Sequence, residues 1–114
     1  MSRVALGLVR TAYSDDVELD VKAVDVFIGD RGWRYPPCRW LRPTVSILLI
    51  GPNDSAYSQL LLVHNDSEAI AIVVPTMTHL IGIEAIAQSR ADIYSLDGHH
   101  QPRRPYRELL GLDP

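Results

Sequence analysis

The first clear pattern along the chain is a period of two. An apolar segment from Val4 to Ala12 reads as a first strand, and Ser14-Asp15-Asp16 reads as a turn. Val17, Leu19, Val21 and Ala23 then alternate with Glu18, Asp20 and Lys22, which predicts a strand with one face in water. The phase next shifts by one residue, because Val24, Val26 and Ile28 continue on the opposite parity. Such a slip turns every side chain to the other face, so it predicts a β-bulge near Ala23-Val24, with the strand ending at Gly29-Asp30-Arg31-Gly32. Three shorter apolar runs follow: Val45 to Ile50, Tyr57 to Val63, and Ala69 to Val74. They are separated by Gly51-Pro52-Asn53-Asp54 and by Asn65-Asp66-Ser67, and short runs with short polar turns predict an antiparallel meander. Both parities are apolar in the first and third runs, which places those strands centrally with both faces covered.

Helical spacing enters after Pro75. Met77, Leu80, Ile81, Glu84, Ala85 and Gln88 share a helical face, and Thr76 or Thr78 can cap it, so a helix is predicted from Thr76 to Arg90. Gly82 weakens it by about 1 kcal/mol relative to alanine, and a strand over His79 to Ala87 is the alternative. Ala91 to Leu96 predicts a sixth strand closed by Asp97-Gly98. Gln101-Pro102-Arg103-Arg104-Pro105 reads as extended chain, and Tyr106 to Leu110 as one helical turn ended by Gly111. The expected architecture is a single α+β domain over residues 1–114. Its antiparallel sheet has five or six strands, a hairpin plus a meander, with one main helix and a short C-terminal helix. Residues 98–114 read as a loosely packed C-terminal tail. One helix covers only part of one sheet face, so a surface loop or a second subunit is expected on the other, and a homodimer through the sheet is expected.

Composition adds limits. With 114 residues, 46% hydrophobic and 22% charged, the chain suits one ordinary globular core. Cys38 is the only cysteine, which excludes an intrachain disulfide. Arg3, Gly7 and Arg10 interrupt the opening apolar stretch, and no apolar run approaches twenty residues, so a cytoplasmic protein without a membrane segment is expected. Phosphate-binding glycine loops, G-x-S-x-G, H-E-x-x-H and C-x-x-C are all missing, which makes a non-enzyme the expectation over an enzyme.

Charge singles out one segment. Residues 1–30 carry three basic and six acidic groups, whereas residues 31–42 carry four arginines and no acid. The net charge of −3 gives no strong pull toward nucleic acid. The run from Arg31 to Pro43 also holds both tryptophans and three of the eight prolines, so guanidinium groups lie beside aromatic faces on a stiff loop. Trp, Tyr and Arg are the residues of protein-interface hot spots, because they bury large areas with few rotors. The candidate contact residues are therefore Trp33, Arg34, Tyr35, Arg39, Trp40 and Arg42, extended by Arg103 and Arg104. The expected function is that of a small non-catalytic protein-binding domain: a regulator, an inhibitor or an assembly subunit. Two alternatives use other chemistry. The same loop suits single-stranded nucleic acid, with bases on the rings and phosphates on the arginines. A small enzyme or ligand-binding protein would assemble a scattered site from His64, His79 and Glu84. In a purely structural alternative, both tryptophans cap the open sheet face. No cofactor or metal is expected, since adjacent His99 and His100 point in opposite directions on an extended chain and no other histidine or cysteine lies at ligand spacing.

Overall fold

A computed structural model describes residues 4–34, 47–67, 69–109 and 111, with residues 62–67 and 106 described by backbone alone. The element order is β1 (Ala5–Arg10), α1 (Val17–Asp30), β2 (Ile47–Ile50), α2 (Ala56–Ser67), β3 (Ala71–Val74), α3 (Glu84–Arg90), β4 (Asp92–Ser95), β5 (His100–Gln101) and α4 (Tyr106–Leu109). One sheet contains all five strands in the order β2-β1-β3-β4-β5. The β1–β2, β1–β3 and β3–β4 pairs are parallel, and only β4–β5 is antiparallel.

This arrangement corrects the expected antiparallel meander with one main helix. The strand positions near Val4, Ile47, Ala71 and Asp92 are observed, yet each parallel pair needs a crossover, and helices supply it. Two predicted strands are those helices. Over Val17–Asp30, the supposed bulge is the trace of a helical period. Val17, Val21, Val24 and Ile28 recur at four, three and four residues, and Val24 and Ile28 are fully buried. Leu19 and Val26, which completed the alternation, are solvent-exposed. Asp16 caps the helix by accepting from the Leu19 N–H at 3.1 Å, and Glu18 and Asp20 place negative charge in the first turn. Gly32, at φ 68°, closes it: the Gly32 N–H donates to the Gly29 carbonyl and the Trp33 N–H to the Ile28 carbonyl. That pair of bonds is the Schellman stop, so the glycine assigned to a strand end is a helix terminator.

The run from Tyr57 to Val63 is likewise helical, inside α2. The Ser55 hydroxyl accepts from the Ser58 N–H at 3.2 Å, and Ala56 and Leu60, one turn apart, face the core. Asn65-Asp66-Ser67 ends this helix instead of joining two strands. The single helix expected over Thr76 to Arg90 is divided. A 3₁₀ turn at Met77–Leu80 is followed by Gly82 at φ 85°, and α3 starts only at Glu84. Glu84 Oε1 accepts from the Gly82 N–H and fixes the break. The Ala91 to Leu96 strand, the Asp97-Gly98 turn and the last helical turn before Gly111 are present as β4, the β4–β5 turn and α4.

Two cores flank the sheet. Leu6, Leu8, Leu48, Ile50, Ile72, Val74 and Ile93 pack under α2 and α3. Ala5, Val9, Ile47, Ala71 and Val73 pack under α1. The successive residues of β1 and β3 serve opposite cores, which is why those strands are apolar throughout. At Gly7, α1 comes so close that an added Cβ would lie 2.8 Å from side-chain carbons of both Ile47 and Val24. Residues 100–109 run back past β4 and α3. There the Arg103 N–H donates to Asp92 Oδ1 at 2.7 Å and the Arg104 N–H to the Gln88 carbonyl at 3.1 Å.

Candidate functional site

On the α1 face, a helix covers β1 and β3, while β4 and β5 carry an aromatic cluster. Three local features build it. The β4 alternation sends Ile93 to the α2–α3 core and Tyr94 to the opposite face. Antiparallel pairing sets His100 of β5 directly across from Tyr94, and the two rings stack with centroids 4.4 Å apart and planes 9° apart. The Schellman turn after α1 folds the chain back so that Trp33 meets Tyr94 edge-on at 5.1 Å and Phe27 of α1 at 6.4 Å. The Arg31 guanidinium lies 3.6 Å from the Phe27 ring centre, and Trp33 and Tyr94 are within 6 Å of it as well. At a partly exposed site, each such cation–π contact contributes roughly 0.5–1 kcal/mol. Phe27, Trp33, Tyr94 and Leu96 are half-buried, whereas Arg31, Arg34 and His100 are exposed.

The residues singled out from the sequence are distributed as follows. Trp33 belongs to this cluster. Arg34 is exposed, and its backbone continues the sheet: its carbonyl accepts from the Ala5 N–H at 2.9 Å, in a parallel bridge with Val4. Tyr35, Arg39, Trp40 and Arg42 lie outside the described residues. Arg103 and Arg104 follow β5 at the other sheet edge, where Arg104 sits 3.9 Å from Glu108. Arg34 occupies the lane on the β2 side of β1, so its backbone and that of Arg103 are about four lanes apart, roughly 19 Å at strand spacing. The sequence reading missed Phe27, Arg31, Tyr94 and His100 as contact residues. A usable signal existed for the last two: Tyr94 and His100 are placed symmetrically about the Asp97 turn, as hairpin partners are.

A second polar group lies at the carboxyl ends of β1 and β3, where the chain leaves the sheet toward opposite faces. His79, only 1% exposed, occupies this divide. Its Nδ1 accepts from the Arg10 N–H at 2.9 Å, and the Tyr13 ring meets it edge-on. Burial holds the His79 pKa below its ordinary value. The nearby Asp20 carboxylate pulls the other way, and Arg10 adds to the depression. The Ser14 hydroxyl donates to Asp20, and Glu84 accepts from the Gly82 N–H. The side chain of His64 is outside the described residues. His99 turns to Asp97, at 3.1 Å, while His100 turns to Tyr94. The hydroxyl of Ser95 and the ring of His99 hold the Asp97 carboxyl below the usual carboxylate range. Among the described residues, no three histidine, cysteine or acidic side chains are grouped as a metal site. No helix among them is long and apolar enough to cross a membrane.

Fold and surface together define a class: a small doubly wound α/β domain whose α1 face is half helix and half arginine-capped aromatic cluster. No protein-family model, curated protein or solved structure matches the chain.

Proposed function

We propose that the chain is a non-catalytic protein-binding domain of the cytoplasm, working without a cofactor, whose contact surface is the cluster of Phe27, Arg31, Trp33, Tyr94 and His100. The observation that carries this reading is the state of the rings. They are half-buried and locked against each other, so docking costs little side-chain entropy, and a rigid aromatic–arginine patch is what interface hot spots require. The same geometry argues against a nucleic-acid platform. Base stacking needs free ring faces, yet Tyr94 is stacked on His100 and Phe27 lies under Arg31. Tyr94→Ala removes the central ring from a half-exposed position. It is expected to weaken partner binding by at least about 1–2 kcal/mol while the far-ultraviolet circular dichroism stays native. The measurement is capture from nuclease-treated extract on immobilised native and Tyr94→Ala protein. A stoichiometric protein retained by the first and lost by the second supports the reading. Retention that disappears with nuclease or at moderate salt transfers the surface to nucleic acid.

A further inference from the structure

Helix α1 carries a second apolar line besides the one it buries. Val21, Val24 and Ile28 pack on the sheet. Leu19 and Val26 lie on the opposite side, where they are 62% and 52% exposed. Being seven residues apart, they stand on one line two turns long, about 10 Å along the axis. The half-buried Ala23 lies between them. Neither Leu19 nor Val26 belongs to either core. Val26, β-branched at a solvent-facing position, opposes the helix and gains no packing within the chain. The crest is also rigid, because the Asp16 cap and the Schellman stop at Gly32 hold both ends of α1. Docking on it therefore costs little order.

Charge decides what fits this crest. Residues 15–30 carry six acids against one lysine, Lys22. Asp15, Asp16 and Glu18 are exposed and lie within about one turn of Leu19. We infer that the outer face of α1 docks a basic amphipathic helix of a partner protein, antiparallel to α1, with its apolar stripe on Leu19 and Val26 and its cations on Asp15 and Glu18. This surface lies apart from the aromatic cluster and does not rest on it. A helix is the matching shape, because its own apolar stripe repeats over the same two turns. The antiparallel direction sets the partner's last turn, where basic side chains are favoured, against the acidic start of α1, and it opposes the two helix dipoles. A second copy of the chain does not suit the crest, since it would bring the same six acids and one lysine to meet their like. Nucleic acid and anionic lipid are repelled on the same ground.

The probe is a labelled synthetic helix of about 18 residues, with leucines in one stripe at three- and four-residue spacing and lysines elsewhere. Fluorescence anisotropy against the full native chain is expected to show saturable binding in the micromolar range. Leu19→Gln with Val26→Gln changes two exposed positions, so the fold survives, which circular dichroism checks, and binding is expected to weaken at least about tenfold. Asp15→Asn with Glu18→Gln is expected to weaken it several-fold and to flatten its salt dependence. Absence of saturable binding overturns the inference. So does equal binding by the Leu19→Gln, Val26→Gln protein, or by a peptide that keeps the lysines and carries serines in the stripe. A native chain that sediments as a dimer, and becomes monomeric with the same pair of substitutions, gives the crest to a second copy and overturns it as well. The aromatic contact is judged separately: Tyr94→Ala is expected to bind the peptide as the native chain does. Loss in that variant, with no loss in the crest variant, moves the peptide to the aromatic cluster and leaves only that reading standing.

Discussion

His79 shows how one buried side chain couples the fold to pH. With Nδ1 accepting from the Arg10 N–H, the neutral ring carries its proton on Nε2, and a second proton would have to displace that bond inside the core. The charged groups around it are Arg10 from β1 and Asp20 from α1, with the Tyr13 ring against its edge. Because the folded pKa lies below the ordinary 6.5, the unfolded chain binds more protons than the native one just below that value. Stability is therefore full above pH 6.5 and falls as the pH drops toward the folded pKa. Urea denaturation at a series of pH values from 7.5 downward is expected to show that loss. In His79→Gln, whose amide oxygen still accepts from Arg10, the contribution of this site to the slope should vanish. An unchanged slope in the variant would assign the effect elsewhere. Gly7 makes a second residue-scale case. Its missing Cβ is what allows α1 to rest on β1, and the obstructing atoms belong to Val24 and Ile47, both buried and unable to swing away. Gly7→Ala is expected to cost about 1–3 kcal/mol, read as a lower urea midpoint with an unchanged m-value.

At the scale of elements, the ends of α1 decide more than its interior. Val17, Val21, Val24, Val26 and Ile28 are β-branched and favour strands, so propensity opposes the helix that tertiary packing selects. The boundary signals were nonetheless in the sequence: Asp16 at the cap, Glu18 and Asp20 behind it, and Gly32 beyond the last turn. Alternation over seven residues outweighed them, because Val17, Leu19, Val21 and Ala23 fit a period of two as well as a helix with an exposed leucine. The phase slip at Val24 was the deciding clue, since a helix explains it without a bulge. Asp16→Ala is expected to cost about 1 kcal/mol in thermal unfolding, with Asp16→Asn close to native. Gly32→Ala forces a left-handed residue to carry a Cβ and is expected to cost roughly 1–2 kcal/mol. That substitution should also disturb Trp33, whose N–H is held by the same turn, so tryptophan fluorescence should report it. A Gly32→Ala protein as stable as the native chain would remove the Schellman stop from this account. α2 was hidden for a different reason: Tyr57 to Val63 is a short apolar run of a length that strand and helix share, and only the Ser55 cap separates them.

The order of strands belongs to the whole molecule and has no local signature. The apolar character of both parities correctly implied a central, covered strand for β3 but not for β2, which is an edge strand with Leu49 41% exposed; such runs also suit a parallel sheet, and the choice between the two depends on whether the connections are turns or helices. Once α1 and α2 were taken for strands, a meander followed. The contact surface was half legible for the same reason. Trp33 announces itself by composition, whereas Phe27, Tyr94 and His100 join it only through the helix, the hairpin and the sheet order. The two topologies differ in where β1 lies. A meander built in chain order leaves the first strand at an edge, with half of its amides open to water. In the observed order β1 is interior, bonded to β2 on one side and β3 on the other, while β5 is a two-residue edge. Amides buried in the centre of a sheet exchange only through large-scale opening, and edge amides through local fraying. Hydrogen exchange should therefore find Leu6 to Val9 and Ile72 to Val74 among the slowest amides, with β5 and α4 exchanging orders of magnitude sooner. If β1 exchanges as fast as β5, the parallel order is wrong. If β1 is protected, the parallel order stands, and with it the place of α1, which as the crossover from β1 to β2 rests on β1 and β3 and touches β4 through Phe27 and Arg31.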